Sequence, residues 1–482
     1  MFQRTVVVRR LSALVVLSLA ALAGRDASAE LRAGAATSNI TPEIGRPIIG
    51  GFSPAPSKHI HDELHARCLV LDDGKTKLAL VVCDLLGVHK LVSDEARRLI
   101  TERLGIPKSH VLISGTHTHS ASSALGEDRY NPKPVIDDYQ KFVAQRIADG
   151  VARCVNTLRP AELAFGTVDV PEHVHNRRWF LRPGSMPENP FGQLDLVKMN
   201  PGAGNPNLVE PAGPIDPTVS FLAVREAGGG KPIGLFAAYS LHYVGGVGGA
   251  DISADYFAVF SETMKELLTP ERQDPPFVAM MANGTSGDIN NINFRNPPKE
   301  RRKPYEQMRY VGQDVAAKVA GAMKDLKYKS DLTLDARYAE PMIKFRHPTP
   351  EQLSWAQQKL AEPEEPAAKA NLPRIYAQRA MKMNEHPEAG PMPVQALRIG
   401  DVCIGTLPCE VFCEIGIEFR SRSPLKPAFM VSLAHGYYGY LPTPRHHKLG
   451  GYETWLGTNR LEPQASVKLL DAVVELAGEM KQ

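Results

Sequence analysis

Val111-Leu112-Ile113-Ser114-Gly115-Thr116-His117-Thr118-His119-Ser120 is the stretch on which the reading of this fold turns. An apolar, β-favouring run ends in a small-residue turn that presents two histidines. In α/β proteins a buried strand that ends this way delivers polar side chains to the edge of a sheet, where ligands bind. Residues two apart in extended chain face the same side, so His117 and His119 are expected to look into one cavity. Two imidazoles so placed hold a metal ion or move protons. The plain alternative is a polar strand end carrying two solvated rings.

The same pattern recurs along the chain. Leu235–His242 is an apolar run closed by a histidine, followed by Gly245-Gly246-Val247-Gly248-Gly249 and Asp251-Ile252-Ser253-Ala254-Asp255. Glycines there let the backbone approach a ligand closely. Phe277–Met281 leads into Asn283-Gly284-Thr285-Ser286-Gly287-Asp288, a strand-end loop whose amides suit an anion. Ser286 is a nucleophile candidate only with a base beside it. In Thr406-Leu407-Pro408-Cys409-Glu410 the carboxylate is expected where a helix starts, which also fits a simple capping role. Tyr437-Tyr438-Gly439-Tyr440, with Tyr452 and Trp455 beyond, reads as a pocket wall or a packed aromatic cluster. Asp255 or Asp288 is expected to orient a histidine from behind.

Further strands are expected at Ala66–Leu71, Leu78–Cys83, Ala161–Val168, Val219–Val224, Leu332–Tyr338, Gln395–Ile399, Val402–Thr406 and Phe429–Leu433. Helices are expected at Ser93–Leu104, Ile136–Leu158, Ala254–Leu268, Tyr305–Lys324, Glu410–Ser421 and Ser466–Met480. In the second helix Tyr139, Phe142, Val143, Ile147 and Val151 repeat near the helical period. The alternation predicts an α/β fold: a mixed β-sheet core with flanking helices, in a single large catalytic domain over residues 30–482. Residues 181–217, rich in Pro, Gly and Asn, read as a long surface loop. Residues 348–387 read as a helical surface insertion, with a lid as the alternative role.

Residues 1–29 have the pattern of a secretory signal peptide: Arg4, Arg9 and Arg10, an apolar run from Leu11 to Ala23, then Ala27-Ser28-Ala29. The mature chain is expected to be exported, either periplasmic or secreted. The formal charge of +3 and the lack of a basic stripe argue against nucleic acid as a partner. The six cysteines do not form a disulfide scaffold. Cys409 and Cys413 have the wrong spacing for a zinc knuckle, and four-residue helical spacing is poor for a disulfide. Neither an H-E-x-x-H helix nor a G-x-S-x-G elbow occurs, which excludes those protease and serine-hydrolase patterns.

The chain nevertheless resembles the N-terminal catalytic domain of the neutral/alkaline non-lysosomal ceramidase family. The likeness is carried by Asn39-Ile40-Thr41-Pro42, His61-Asp62, His117-Thr118-His119-Ser120, Asn176-Arg177, Ser240-Leu241-His242, Ser253-Ala254-Asp255-Tyr256, Gly287-Asp288, Pro408-Cys409-Glu410 and Gly439-Tyr440. That resemblance implies a Zn²⁺ ion held by His117, His242, Glu410 and Tyr440. It implies that His119, Arg177 and Tyr452 contact the substrate and steady its oxyanion, and that metal-activated water cleaves an amide-type bond. The implied partner is a lipid or other small-molecule amide, met in the lipid case at a membrane surface.

Three departures stand out. Ser120-Ala121-Ser122-Ser123 replaces the family's G-P-G-G continuation. Asn290 stands at the family's serine, and an amide is no nucleophile. The family's C-terminal immunoglobulin-like domain is not recognisable. The loops expected to line the site hold Arg177, Arg178, Trp179, Arg182, Arg445, His446 and His447, more cationic than an acyl-chain groove. A smaller polar or anionic substrate of a zinc hydrolase, or a non-catalytic binding protein, are the competing readings.

Overall fold

The structure is a computed structural model that describes residues 30–481 apart from 53, 123, 127, 270, 301 and 364–369. The expected signal peptide lies outside the described residues. Among them, no helix is long and apolar enough to cross a membrane.

Eight strands form one mixed sheet: β1 (Arg32–Asn39), β2 (His65–Asp72), β3 (Lys77–Cys83), β4 (Val111–Gly115), β5 (Arg159–Asp169), β6 (Thr218–Glu226), β7 (Pro232–Tyr239) and β8 (Val278–Asn283). Their spatial order is β8-β7-β6-β5-β1-β2-β3-β4. The two outer pairs, β3/β4 and β7/β8, are parallel, and the inner pairs are antiparallel. A second sheet has the order β9-β10-β11-β12, from β9 (Leu334–Ala339), β10 (Val394–Ile399), β11 (Val402–Thr406) and β12 (Ala428–Val431).

The strands thus divide into two stacked sheets instead of one. Leu69, Leu71, Leu80 and Val82 of the first sheet pack against Leu397, Ile404 and Val431 of the second. The opposite face of β2 and β3, with Cys68, Val70, Ala79 and Val81, packs on helices α1 (Lys90–Leu104) and α2 (Asp138–Asn156). Helices α3 (Asp255–Leu268) and α4 (Glu306–Ala322) cover the other half of that face. A strand buried on both faces has no polar alternation, which explains the continuous apolar runs.

Strand β1 is a central strand that sequence periodicity passes over. Its Arg-Ala-Gly-Ala-Ala-Thr-Ser-Asn composition favours β structure only weakly. The small residues serve packing: a Cβ on Gly34 would lie 2.1 Å from the Cys154 carbonyl of α2. The α2 N-terminus is closed by a capping box between Asp137 and Gln140. Phe142, expected in its buried stripe, stands 42% exposed.

Residues 181–217 are not a plain loop: Arg178–Leu181, Val197–Met199 and Leu208–Pro211 make a three-stranded sheet. Trp179, Leu208 and Phe294 form its small core. Residues 348–387 carry α5 (Pro350–Ala361) and α6 (Leu372–Asn384), which pack on each other through Ala356, Ala377, Ala380 and Met383. All six cysteines are buried and unpaired. The described residues contain no immunoglobulin-like sandwich.

Candidate active site

The site forms where the ends of β4, β7, β8, β11 and β12 meet. Backbone bonds hold these ends together: Gly115 N–H donates to the Leu433 carbonyl at 3.2 Å, and Ser432 N–H donates to the Asn283 carbonyl at 2.9 Å. The Asn283 side-chain amide donates to the Thr116 carbonyl at 3.0 Å.

His117 and His119 do converge, but not through extended chain. Strand β4 stops at Gly115, and His117 has φ of 73°, the left-handed region that residues other than glycine adopt uncommonly. Such strain is retained where surrounding contacts over-determine it. The two rings end up 4.7 Å apart and nearly perpendicular, with Nε2 atoms 3.1 Å apart. His242, from the end of β7, lies 4.6 Å from His117, ring to ring. His117, His119 and His242 together form a group whose ligand atoms lie within 4.8 Å of one another, a set able to hold a metal ion.

Neither Asp255 nor Asp288 orients these rings. Asp255 accepts from Val244, Gly245 and Tyr256 amides, and Asp288 accepts from the Cys413 amide and Asn176. Backbone carbonyls take that role: His117 Nδ1 bonds the Leu86 carbonyl at 2.8 Å, and His242 Nδ1 bonds the Ser286 carbonyl at 3.0 Å. A carbonyl accepts only, so Nδ1 carries a proton in both rings and Nε2 is the atom turned toward the cavity. Ser286 Oγ donates to Asn283 Oδ1 at 2.7 Å, so His242 is not its base.

Glu410 is not at a helix start. It lies in a two-residue parallel ladder that pairs Glu410–Val411 with Tyr440–Leu441, and α7 begins later, over Cys413–Arg422. The ladder is what brings the Glu410 carboxylate and the Tyr440 phenol side by side. Glu410 Oε2 lies 3.2 Å from His117 Nε2 and 3.7 Å from His242 Nε2. Its Oε1 accepts from Tyr437 at 2.7 Å. Burial works to raise the Glu410 pKa, but His117, His242 and the Tyr440 hydroxyl outweigh it and hold the group well below the usual carboxylate range. Burial also holds His119 and His242 well below the usual imidazole range, with neighbouring charges adding to it, so both rings are neutral at pH 7.

His117, His119, Glu410, Tyr440 and Tyr452 line one small cavity of about 30 Å³, room for one ion or water. Tyr440 and Tyr452 meet edge to face at 5.8 Å. Arg177 lies behind Tyr440, 5.2 Å from its ring, and is tied to Glu453 at 3.0 Å and to the Gly287 carbonyl at 2.7 Å. Asn290 lies away from this cavity, bonded to Asn200 at 3.1 Å.

Arg178, Trp179, Arg182, Arg445, His446 and His447 do not line the cavity. Arg178 is buried against Glu453, Arg445 pairs with Glu414, and His446 packs on Phe412. The cationic lining comes instead from Arg129 and Arg460, with Tyr130 and Tyr437. Arg129 and Arg460 come from loops that no sequence periodicity marks. Arg129 and Tyr130 also border an outer pocket of about 180 Å³ that reaches Phe52 and, from α6, Arg379 and Lys382. A larger cleft of about 680 Å³ around Glu262 and Arg272 holds none of the site residues.

Gly50 closes the cavity from the N-terminal side. A Cβ there would lie 2.3 Å from the His119 carbonyl and 2.6 Å from its Cα. Gly50→Ala must therefore shift the His119 backbone, and a displacement near 1 Å costs roughly 100-fold in rate. Steady-state kinetics should show that loss, with a lowered melting temperature beside it because the clash is with backbone.

Residues 32–330 match the family of neutral/alkaline non-lysosomal ceramidases over its N-terminal part. The chain belongs to the neutral/alkaline non-lysosomal ceramidase family. Two solved ceramidases have a similar fold. Neutral ceramidase from Pseudomonas aeruginosa superposes with a TM-score of 0.66 at 17% identity, covering 94% of this chain and 74% of that one. A ceramidase complexed with C2 superposes with a TM-score of 0.68 at 18% identity, covering 94% and 75%. Both likenesses cover 94% of this chain and so extend well past residue 330.

Proposed function

We propose that this member of the ceramidase family is a zinc-dependent amide hydrolase. One observation carries the reading: His242 Nε2 and Glu410 Oε2 are buried and have no hydrogen-bond partner. They face each other at 3.7 Å. A buried polar atom left without a hydrogen bond costs about 1–3 kcal/mol, more when it is charged, and a cation among His117, His242 and Glu410 would satisfy both atoms. Imidazole nitrogens with a carboxylate oxygen are the donors zinc prefers, and His117, His242, Glu410 and Tyr440 are the residues that would hold it.

A zinc ion bound there supplies a Lewis acid for the scissile carbonyl and brings the pKa of a water to about 7. The chain's own groups do the rest. Neutral His119 offers a ring nitrogen to take or hold a proton at Nε2. Tyr452 stands on the cavity wall to donate to the developing oxyanion, an interaction worth about 3 kcal/mol when well placed. Arg177 fixes the Tyr440 phenol from behind. The arrangement needs no serine, in keeping with Asn290.

N-acylsphingosine is the substrate the family name points to. The narrow, cationic mouth favours a second version, hydrolysis of a smaller polar or anionic amide at the same residues. The leader-like N-terminus supports export, to the periplasm or outside the cell.

The test is metal content beside hydrolysis. Dialysis against 1,10-phenanthroline should remove one zinc per chain and abolish amide cleavage, and added Zn²⁺ should restore both. A wild-type protein that binds no zinc even when supplied with it would leave the binding-protein reading instead.

A further inference from the structure

We infer that the mouth of this site is an oxyanion-binding subsite, in which Arg129, Arg379 and Arg460 grip a carboxylate, sulfate or phosphate group carried by the substrate. This rests on the reading of the same site as an amide hydrolase and names its substrate class.

The three guanidinium groups gather around one ring. Their central carbons lie 5.5 Å (Arg129), 5.0 Å (Arg379) and 4.3 Å (Arg460) from the centre of Tyr130. Arg379 and Arg460 are each only 5% exposed. Among the described residues, none of the three forms an ion pair. Of the described carboxylates nearby, Asp128 is taken by Lys382, and Glu410 by His117 and Tyr437. Arg460 donates through Nη1 to the Arg129 carbonyl at 2.7 Å, and its Nε is buried without a partner. Arg379 donates to Thr458 Oγ1 at 3.1 Å.

Buried arginines are ordinarily paired, because desolvating the charge costs several kcal/mol. Aromatic neighbours offset part of that: Arg379 also lies 4.8 Å from Tyr376 and 5.5 Å from Phe52. Each such contact returns about 1 kcal/mol, and none supplies a countercharge. Three like charges around one ring repel one another as well. A single oxyanion resolves both problems, and the guanidinium fork fits its geometry.

The placement sets the substrate's shape. Arg129 and Arg460 line the cavity that also holds His117, His119 and Glu410, while Arg379 lines the outer pocket. The anionic group would therefore lie within a few bonds of the scissile amide. An alkyl chain laid along this mouth would bury three cations without compensation, so a neutral two-chain lipid suits it poorly.

The test uses the zinc-loaded full chain and four amides: N-hexanoylglycine, N-hexanoyltaurine, N-hexanoyl-O-phosphoethanolamine and neutral N-hexanoylethanolamine. At least one anionic amide should exceed the neutral one tenfold or more in kcat/KM, and the preferred member tells carboxylate from sulfonate and phosphate. Arg379→Gln, and Arg129→Gln as a less buried second variant, should collapse that preference mainly through KM. Calorimetric titration with acetate, sulfate and phosphate reads the subsite without catalysis. Anion binding weakened tenfold in both variants, with no amide cleaved, would uphold the subsite and overturn the hydrolase. Equal rates on charged and neutral amides, or anion binding indifferent to both substitutions, would overturn the subsite.

Discussion

Glu410→Gln is expected to remove the zinc and lower kcat/KM by about 1000-fold, the loss that a missing Lewis acid worth several kcal/mol produces. The substitution keeps the shape of the side chain and its acceptance from the Tyr437 hydroxyl at 2.7 Å. It takes away the charge that faces His117 and His242 at 3.2 and 3.7 Å. Two donor sets share those histidines. One adds His119, the other adds Glu410 and Tyr440. If the three histidines hold the ion, Glu410→Gln keeps zinc while His119→Ala loses it. If the carboxylate set holds it, the pattern reverses, and His119→Ala keeps its zinc while losing rate. Metal analysis of the two variants decides between them.

Glu453→Gln is expected to destabilise the fold by about 3–5 kcal/mol, the usual cost of breaking a buried pair from one side. Glu453 is fully buried and holds two buried arginines, Arg177 through Oε1 at 3.0 Å and Arg178 through Oε2 at 2.6 Å. The amide leaves both charges without a countercharge. With an unfolding entropy near 2.1 cal/mol/K per residue over roughly 450 residues, the melting temperature should fall by about 3–5 °C. Activity should fall further than stability explains, because Arg177 backs Tyr440 at 5.2 Å. A melting temperature within about 1 °C of wild type would show that the arginines find other partners, since an unpaired buried charge cannot be that cheap.

Much of the scaffold could be read from local pattern. The strands that carry the histidines are buried on both faces, so their apolar runs are long and unbroken, and a strand ending in polar residues is visible without any alignment. The helices beside them show the helical period because only one side of each meets the sheet. Strand β1 escaped because its Ala and Gly residues answer to the approach of α2, not to β propensity. The three-stranded sheet over 178–211 has no clear sequence signal because its strands are short and lie between glycine turns.

The site was legible only in fragments. His117, His119 and His242 could be picked out individually, and their grouping with Glu410 and Tyr440 came through family resemblance. Residue spacing says nothing of the ladder that pairs Glu410 with Tyr440, and it misplaced Glu410 at a helix start. Arg129, Arg379 and Arg460 carry no local signal at all. They come from a loop before α2, from α6 and from the stretch before the helix Ala465–Glu479.

By itself, then, the sequence determined the α/β character, the strand ends that carry histidine, and the absence of a serine at position 290. Each of these is a property of a short segment, set by which faces of that segment are buried. The tertiary structure alone decided that the strands form two stacked sheets, that a carboxylate and a phenol close the histidine cluster, and that three arginines crowd its mouth. Those features depend on packing between segments hundreds of residues apart, and hydrophobic periodicity records only that a face is buried, never against what.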